Sequence, residues 1–256
     1  MTRLALGTLL AALAVGLGTA APVPKDASRP DPTPDLKVAF DAAARAVKAE
    51  KWPAEDDERI LKNTARVVFE RALKAADQKP RAMPVDYATL TKMNVVGEYA
   101  GNPLNNNFLI AGTVARTSAK NSVIFASGNV QLGIAENCIV VAPSIRASTT
   151  YNCVFIAGDH LRVLSSRRRP NGGEGSVLVA GKWIRASTLD GAVCHVIAPG
   201  TDPAPDDPKG AAAGVKYTAI QTTRADSVTV LNAQAVLKST TTKDATFIEA
   251  KFPLAK

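Results

Sequence analysis

The stretch NSVIFASGNVQLGIAENCIVVAPSIRASTTYNCVFIAG, residues 121–158, decides the fold of this chain. It contains one motif three times: an asparagine, a run of β-prone residues, and an alanine. Including weaker copies on either side, six such segments lie between residues 106 and 200. Their alanines are Ala111, Ala126, Ala142, Ala157, Ala180 and Ala198, at steps of 15, 16, 15, 23 and 18 residues. A short repeat of this kind is typical of stacked rungs, none of which folds alone.

The residues before each alanine form two apolar columns. One position before the alanine lie Ile110, Phe125, Val141, Ile156, Val179 and Ile197, and two positions before it lie Leu109, Ile124, Val140, Phe155, Leu178 and Val196. Because a strand alternates its faces, these columns point in opposite directions. One column is therefore predicted to face the interior of the stack. The other predicts a covered surface, since an exposed apolar sheet of six rungs exceeds what a soluble monomer usually shows.

Two further columns contain small polar residues. Asn106, Asn121, Asn137 and Asn152 recur five positions before the alanine, with Gly175 and Val193 in the last two segments. Asparagine tolerates left-handed backbone, so this column predicts a corner of each rung; a carbohydrate-binding row of amides is the alternative. Cys138, Cys153 and Cys194 share the next column with Asn107, Ser122 and Ser176. Cys138 and Cys153 could form a disulfide across adjacent rungs, or the column could simply require small side chains.

Two amphipathic helices are predicted over residues 35–80, a segment that would cover the solenoid. The first runs from about residue 35 to 51, and its apolar face is Leu36, Phe40, Ala43, Ala44 and Val47. The second begins at Pro53 and ends near Ala76, with apolar residues recurring at a 3.6-residue period. Its apolar residues are Ile60, Leu61, Ala65, Val68, Phe69, Ala72 and Leu73.

The predicted fold is mainly β: a short-rung parallel β-helix (β-solenoid) preceded by two amphipathic α-helices packed on one face. The solenoid domain would span residues 91–256, with loops at 165–175 and 201–214 and a seventh rung at 226–231. A β-sandwich is the alternative, because sandwiches also show short strands at regular spacing.

The N-terminus carries the three-part pattern of a secretory signal peptide over residues 1–20: Arg3, an apolar run, and small residues before the cut. An uncleaved membrane anchor is the alternative. Residues 21–34 are rich in proline and charge and predict a flexible spacer. We therefore expect an exported protein of the periplasm, cell envelope or extracellular space, with no transmembrane segment after signal removal.

Rungs of 15–18 residues with V-I-x-A cores, over roughly residues 105–200, resemble bactofilin-type β-helices and, more distantly, pectin-lyase-like solenoids. The bactofilin resemblance implies a polymerising scaffold near the cell envelope. The chain departs from bactofilins in its signal peptide and its helical N-terminal section. Pectin-lyase-like enzymes use clustered acids, whereas the acids of residues 91–200 are scattered: Glu98, Glu136, Asp159, Glu174 and Asp190.

Few residues predict reaction chemistry. Asp159 and His160 follow a turn, with Arg162 two residues on, and such a trio could do acid–base work or be a solvated turn. His195 is expected to be a partly exposed structural residue. No metal-ligand spacing occurs, and we expect neither a metal site nor a cofactor.

The basic residues are the better candidates for a binding site. Residues 91–200 hold 10 basic and 5 acidic side chains. Arg146, Arg162 and Arg185 occupy matching places in their rungs, so a solenoid would stack them into a positive stripe. Arg167, Arg168 and Arg169 in the loop and Lys182 could extend it. Guanidinium groups suit carboxylate, sulfate and phosphate; a merely solvated face is the alternative.

Three functions follow from the sequence. The leading hypothesis is an exported, non-enzymatic structural or interaction protein that presents a rigid solenoid surface, with self-association as one mode. The second is an anionic-glycan or polyanion-binding module that uses the arginine stripe, with an acidic polysaccharide as partner. The third is a polysaccharide-active enzyme centred on Asp159 and His160. Nucleic acid is not an expected partner, because the chain is exported and lacks interleaved aromatics.

Overall fold

The computed structural model of the chain describes residues 36–170, 172–197, 220–231, 237–238 and 241–248. The predicted signal peptide, the spacer 21–34 and the loop 201–214 lie outside the described residues. The elements in chain order are α1 (Leu36–Ala49), α2 (Glu55–Ala75), a 3-10 turn (Tyr87–Thr89), β1 (Lys92–Ala100), β2 (Leu104–Asn105), β3 (Asn107–Lys120), β4 (Val123–Ala126), β5 (Asn129–Glu136), β6 (Ile139–Tyr151), β7 (Val154–Arg167), β8 (Val177–Ala180), β9 (Trp183–Asp190), β10 (Val193–Val196), β11 (Ile220–Asp226), β12 (Thr229–Leu231), β13 (Leu237–Lys238), β14 (Thr241–Lys243) and β15 (Thr246–Ile248).

The fifteen strands of the described residues form one continuous parallel sheet that coils into a solenoid. Strand β6 shows how a rung is divided, because it pairs with β7 in three groups. Residues 139–142 lie on what we call the first face, 144–147 on the second face, and 149–151 on the third face. The first face contains nine strands in the order β1-β3-β4-β6-β7-β8-β10-β12-β15. Parallel pairing from rung to rung confirms the β-solenoid and rules out the β-sandwich.

The two apolar columns point in opposite directions, as predicted. The column of Leu109, Ile124, Val140, Phe155 and Leu178 faces inward and joins the core formed with the interior of the second face. The column of Ile110, Phe125, Val141, Ile156 and Val179 faces outward and is buried with residues of the helices. The first face is therefore apolar on both sides because the helices cover its outer side.

Both helices exist close to the predicted bounds, but α1 is rotated from its predicted orientation. Its buried residues are Ala39, Ala42, Ala43 and Ala46, whereas Ala44, predicted to be buried, is exposed. Alanines allow the helix to lie close to the sheet, and the contact is tight: a Cβ on Gly158 would meet the Phe40 ring at 2.7 Å. Helix α2 buries the predicted residues Leu61, Ala65, Val68, Phe69, Ala72 and Leu73.

The asparagine column forms a corner between rungs. Asn106, Asn121, Asn137 and Asn152 have φ values of 53°, 46°, 49° and 47°. The amide of Asn137 donates to Asn121 Oδ1 at 2.9 Å, and that of Asn152 donates to Asn137 Oδ1 at 3.2 Å. The column is a structural ladder of left-handed residues.

The predicted alignment of the last segment was wrong by two residues. Val193 pairs with Val177 and Val196 pairs with Ala180, so Val196 takes the place assigned to Ala198. The corner residue of this rung is therefore Gly191, with φ 63°, and not Val193. A small apolar side chain satisfies the inner position, so alanine was not a reliable marker there.

Three other predictions had different outcomes. Strand β7 runs to Arg167, so the predicted loop at 165–175 starts later. The expected seventh rung is present, since β12 continues the first face beside β10. The sequence pattern missed the first rung, which begins at β1 and pairs with β3, and the last strands β13, β14 and β15.

Candidate functional site: a cationic face

The second face carries a row of long polar side chains from successive rungs. Arg146 pairs with Arg162, and Arg162 pairs with Arg185. Gln131 precedes them, and Gln221 follows. The row consists of Gln131, Arg146, Arg162, Arg185 and Gln221, and we call it the arginine row. The predicted stacking of the three arginines is thus present.

The row arises from strand alternation. Ile145, Leu161 and Ile184 immediately precede the arginines and are buried inside the solenoid. Because neighbouring residues of a strand point to opposite faces, the arginines point outward. Arg146 and Arg162 are exposed, and Arg185 is half-buried. Rungs are about 4.8 Å apart, so the guanidinium groups repeat at that interval on a rigid support.

A second row lies beside the first, two residues earlier on the same strands. Asn129 pairs with Ser144, Ser144 with His160, and His160 with Trp183. The His160 ring stacks on Trp183, with centroids 4.5 Å apart. The guanidinium of Arg185 lies 5.2 Å from the Trp183 ring centroid, so Trp183 holds it through a cation–π contact.

A shallow depression of about 300 Å³ lies over the two rows. Its lining includes Asn129, Ser144, Arg146, His160, Arg162 and Trp183. The depression opens onto the face that the helices leave uncovered. It therefore offers cationic, amide, hydroxyl and imidazole groups to one bound molecule, together with the Asp159 carboxylate, which is paired with Lys182.

The two members of the candidate acid–base pair, Asp159 and His160, contact different neighbours. Asp159 Oδ1 lies 3.0 Å from Lys182 Nζ in an ion pair, at the corner that leads into the second face. His160 is directed onto Trp183. The carboxylate and the imidazole are thus each engaged with a different residue of the next rung.

Arg167, Arg168 and Arg169 lie elsewhere. Arg162 lies on the second face, whereas Arg167 lies past the next corner of β7 and pairs with Tyr151 on the third face. The seven predicted site residues therefore divide into two groups. Arg146, Arg162 and Arg185 share the second face with Lys182 at its edge, while Arg167–Arg169 occupy the next corner.

Arg168 and Arg169 bind side chains of other rungs. Arg168 Nε donates to Asp190 Oδ1 at 2.9 Å, and its Nη2 donates to Ser227 Oγ at 3.3 Å. Arg169 Nη2 forms an ion pair with Glu136. Through these contacts both arginines connect different rungs of the solenoid.

The cysteines and His195 are internal. Cys138, Cys153 and Cys194 are free and buried; burial raises the pKa of the Cys194 thiol to about 12, which suppresses the reactive thiolate. The thiol of Cys138 donates to Glu136 O and that of Cys153 to Tyr151 O, which suits a column of small side chains. His195 is 1% exposed and not partly exposed as expected. The two-residue shift of its segment moves it onto the helix-covered face.

The sequence analysis overlooked the row that ends at Trp183. The signal was available, because Ser144, His160 and Trp183 each lie two positions before an arginine of the row. Strand alternation alone places such residues on the same side of the sheet.

Comparison of the chain with known protein families, curated proteins and solved structures finds no match. Across the described ranges, no cluster of three or more His, Cys, Asp or Glu side chains is arranged to hold a metal ion. None of the described helices combines the length and apolar character needed to cross a bilayer.

Proposed function

We propose that this chain is a non-enzymatic interaction protein of the cell envelope or extracellular space. In this proposal it presents the second face of its solenoid to an anionic polymer, with an acidic polysaccharide as the preferred partner. The observation that carries the proposal is the register of Arg146, Arg162 and Arg185 on three consecutive rungs, with Arg146 and Arg162 exposed among the described residues. The structural part, a scaffold near the envelope that can self-associate, rests on the bactofilin-like rung pattern alone.

The charge of the second face favours an anionic partner. Asp159 lies at its edge beside Lys182, and the arginine row itself consists of arginine and glutamine. A guanidinium group is weakly hydrated and donates two parallel hydrogen bonds to a carboxylate or sulfate. A fixed repeat of such groups suits a polymer with regularly spaced anions better than a single small ligand.

The surroundings of Asp159 and His160 favour binding over catalysis. A general acid or base has to reach the substrate with a proton to exchange. Here the carboxylate is paired with Lys182 and the imidazole is stacked on Trp183. His160 therefore contributes a contact surface to the depression in our proposal.

The proposal is tested by chromatography of the purified chain on immobilised heparin and polygalacturonate. We expect retention that weakens as salt rises, and binding about tenfold to hundredfold weaker when Arg146, Arg162 and Arg185 are replaced by glutamine. The control variant replaces Arg59, Arg66 and Lys74, exposed residues of α2, so it removes the same charge from the helices. Equal elution of the wild type and both variants contradicts the proposal.

Export is tested separately. Fractionation of cells that produce the full chain, followed by N-terminal sequencing, should find a mature protein that begins at Ala21 outside the cytoplasm. A full-length chain confined to the cytoplasm contradicts export. It has no bearing on the proposed binding of anions.

A further inference from the structure

We propose that Asn129, Ser144 and His160 form a selectivity row, which makes the cationic face prefer anionic polymers that carry hydroxyl groups. This inference rests on the proposed function, because the arginine row supplies the electrostatic attraction to the polymer. It adds a separate role for a second set of residues. The preferred ligand would be an acidic polysaccharide that lies parallel to the solenoid axis, and a polyphosphate would bind by charge alone.

The geometry places the two rows side by side. Each member of the selectivity row lies two residues before the residue of the arginine row on the same strand, so both project from the same side of the sheet. Two residues span about 7 Å. A polymer that follows the arginine row along the axis therefore has the selectivity row along its flank, within the width of a sugar ring and its substituents.

The chemistry of the two rows differs. Arginine only donates hydrogen bonds, so it binds any oxyanion. An amide, a hydroxyl and an imidazole each offer both donor and acceptor capacity. A sugar hydroxyl also donates and accepts hydrogen bonds, whereas a polyphosphate chain mainly accepts them. Acceptor groups in the selectivity row can therefore be satisfied by a polysaccharide but not by a polyphosphate.

All three side chains of the selectivity row are at least partly exposed. Asn129 is exposed, and Ser144 and His160 are half-buried. The Ser144 hydroxyl donates to the His160 carbonyl at 3.5 Å, a long contact that leaves its oxygen able to accept. All three residues line the depression of about 300 Å³ together with Arg146 and Arg162.

The repeat distance supports an axial orientation. Successive rungs are about 4.8 Å apart, close to the length of one sugar residue in an extended chain. Successive sugars can then meet successive rungs, and those whose carboxylates turn toward the arginine row place hydroxyl groups beside the selectivity row. The selectivity row ends at Trp183, whose side chain is buried and stacked on His160.

The test compares two ligands matched in their number of negative charges, oligogalacturonate and polyphosphate, by calorimetry with the full chain. The variant combines Asn129→Ala, Ser144→Ala and His160→Phe; phenylalanine keeps an aromatic ring on Trp183 but cannot form the hydrogen bonds. We expect oligogalacturonate binding to weaken by about tenfold or more and polyphosphate binding to stay unchanged. Thermal unfolding of the variant confirms that it is folded. The control combines Ser148→Ala and Thr149→Ala, beyond the next corner of β6, and should leave both affinities unchanged.

The outcomes separate this inference from the proposed function. Equal weakening for both ligands, no weakening for either, or the same weakening in the control overturns the selectivity row while the arginine row stands. If replacing Arg146, Arg162 and Arg185 leaves both affinities unchanged, the proposed function itself fails. Binding to anionic lipid vesicles that depends on the arginine row, with no oligogalacturonate binding, overturns the polysaccharide as partner.

Discussion

Acidification should destabilise this protein through one buried imidazole. His195 lies on the helix-covered first face between Val179 and Leu231 of the neighbouring rungs. Burial lowers the pKa of His195 from 6.5 to about 4, and the hydrogen bond between its Nδ1 and the Leu231 carbonyl, at 3.1 Å, opposes this only in part. The folded protein therefore keeps His195 neutral over a pH range in which the unfolded chain protonates it.

The sign and size of the effect follow from this difference. Above pH 6.5 the imidazole is neutral in both states, so its titration does not affect stability. Below pH 6.5 the unfolded chain binds a proton that the folded chain rejects, so the free energy of unfolding falls by about 1.4 kcal/mol per pH unit. The loss ends near pH 4, where the folded state also protonates. Its total is about 3 kcal/mol.

The assay is urea unfolding at several pH values between 7.5 and 4.5 for the wild type and His195→Gln. Glutamine does not titrate, and its amide can still donate to the Leu231 carbonyl. Carboxylates titrate in both proteins, so the informative quantity is the difference between the two stabilities. We expect the wild type to lose about 2.5 kcal/mol relative to the variant across this range. Parallel stability curves for the two proteins would refute the reasoning.

Three further predictions concern the fold. Gly181→Ala should lower the free energy of unfolding by about 3 kcal/mol or more, because its Cβ would lie 1.8 Å from the Gly158 carbonyl oxygen. The control is Gly97→Ala, whose Cβ would have nothing within 4 Å. Equal effects of the two substitutions would contradict this account. Asn137→Ala should cost about 2–3 kcal/mol, since it removes two ladder hydrogen bonds and puts alanine at φ 49°; a neutral result in urea unfolding argues against the ladder. Phe69 is 1% exposed, so Phe69→Ala should lower the free energy of unfolding by about 3–5 kcal/mol. It should also make α2 susceptible to limited proteolysis. An unchanged cleavage pattern would show that α2 does not depend on this contact.

The columns before each alanine predicted most of the fold because strand alternation is a local property. Phe125 and Ile124 are adjacent in sequence and lie on opposite sides of the first face, which the period of two requires. The helices were predictable for a related reason: an apolar outer face needs a cover, and residues 35–80 supplied two amphipathic segments.

The errors have physical causes. The first rung at β1 lacks the repeat motif, because an end rung contacts a neighbour on one side only and needs less regular residues. His195 was misplaced because valine and alanine both fit the inner position that marked the repeat.

The candidate site was predictable where it depends on register and unpredictable where it depends on loops. Arg146, Arg162 and Arg185 follow directly from rung stacking. Arg168 and Arg169 were assigned to the same stripe because the path of the loop after β7 cannot be read from spacing. Their ion pairs with Asp190 and Glu136 join residues 22 and 33 positions apart, which only the folded chain brings together.

The two helices also change how this solenoid should respond to stress. In a simple stack each rung touches only its neighbours, so ends can unravel while the middle persists. Here α1 contacts β1, β3 and β4, α2 contacts β7 and β10, and the helices contact each other. Distant rungs are thereby linked through an element that lies across them. The chain should therefore unfold in fewer and larger steps than its repeat alone implies, and detaching the helices should convert a cooperative transition into a gradual one.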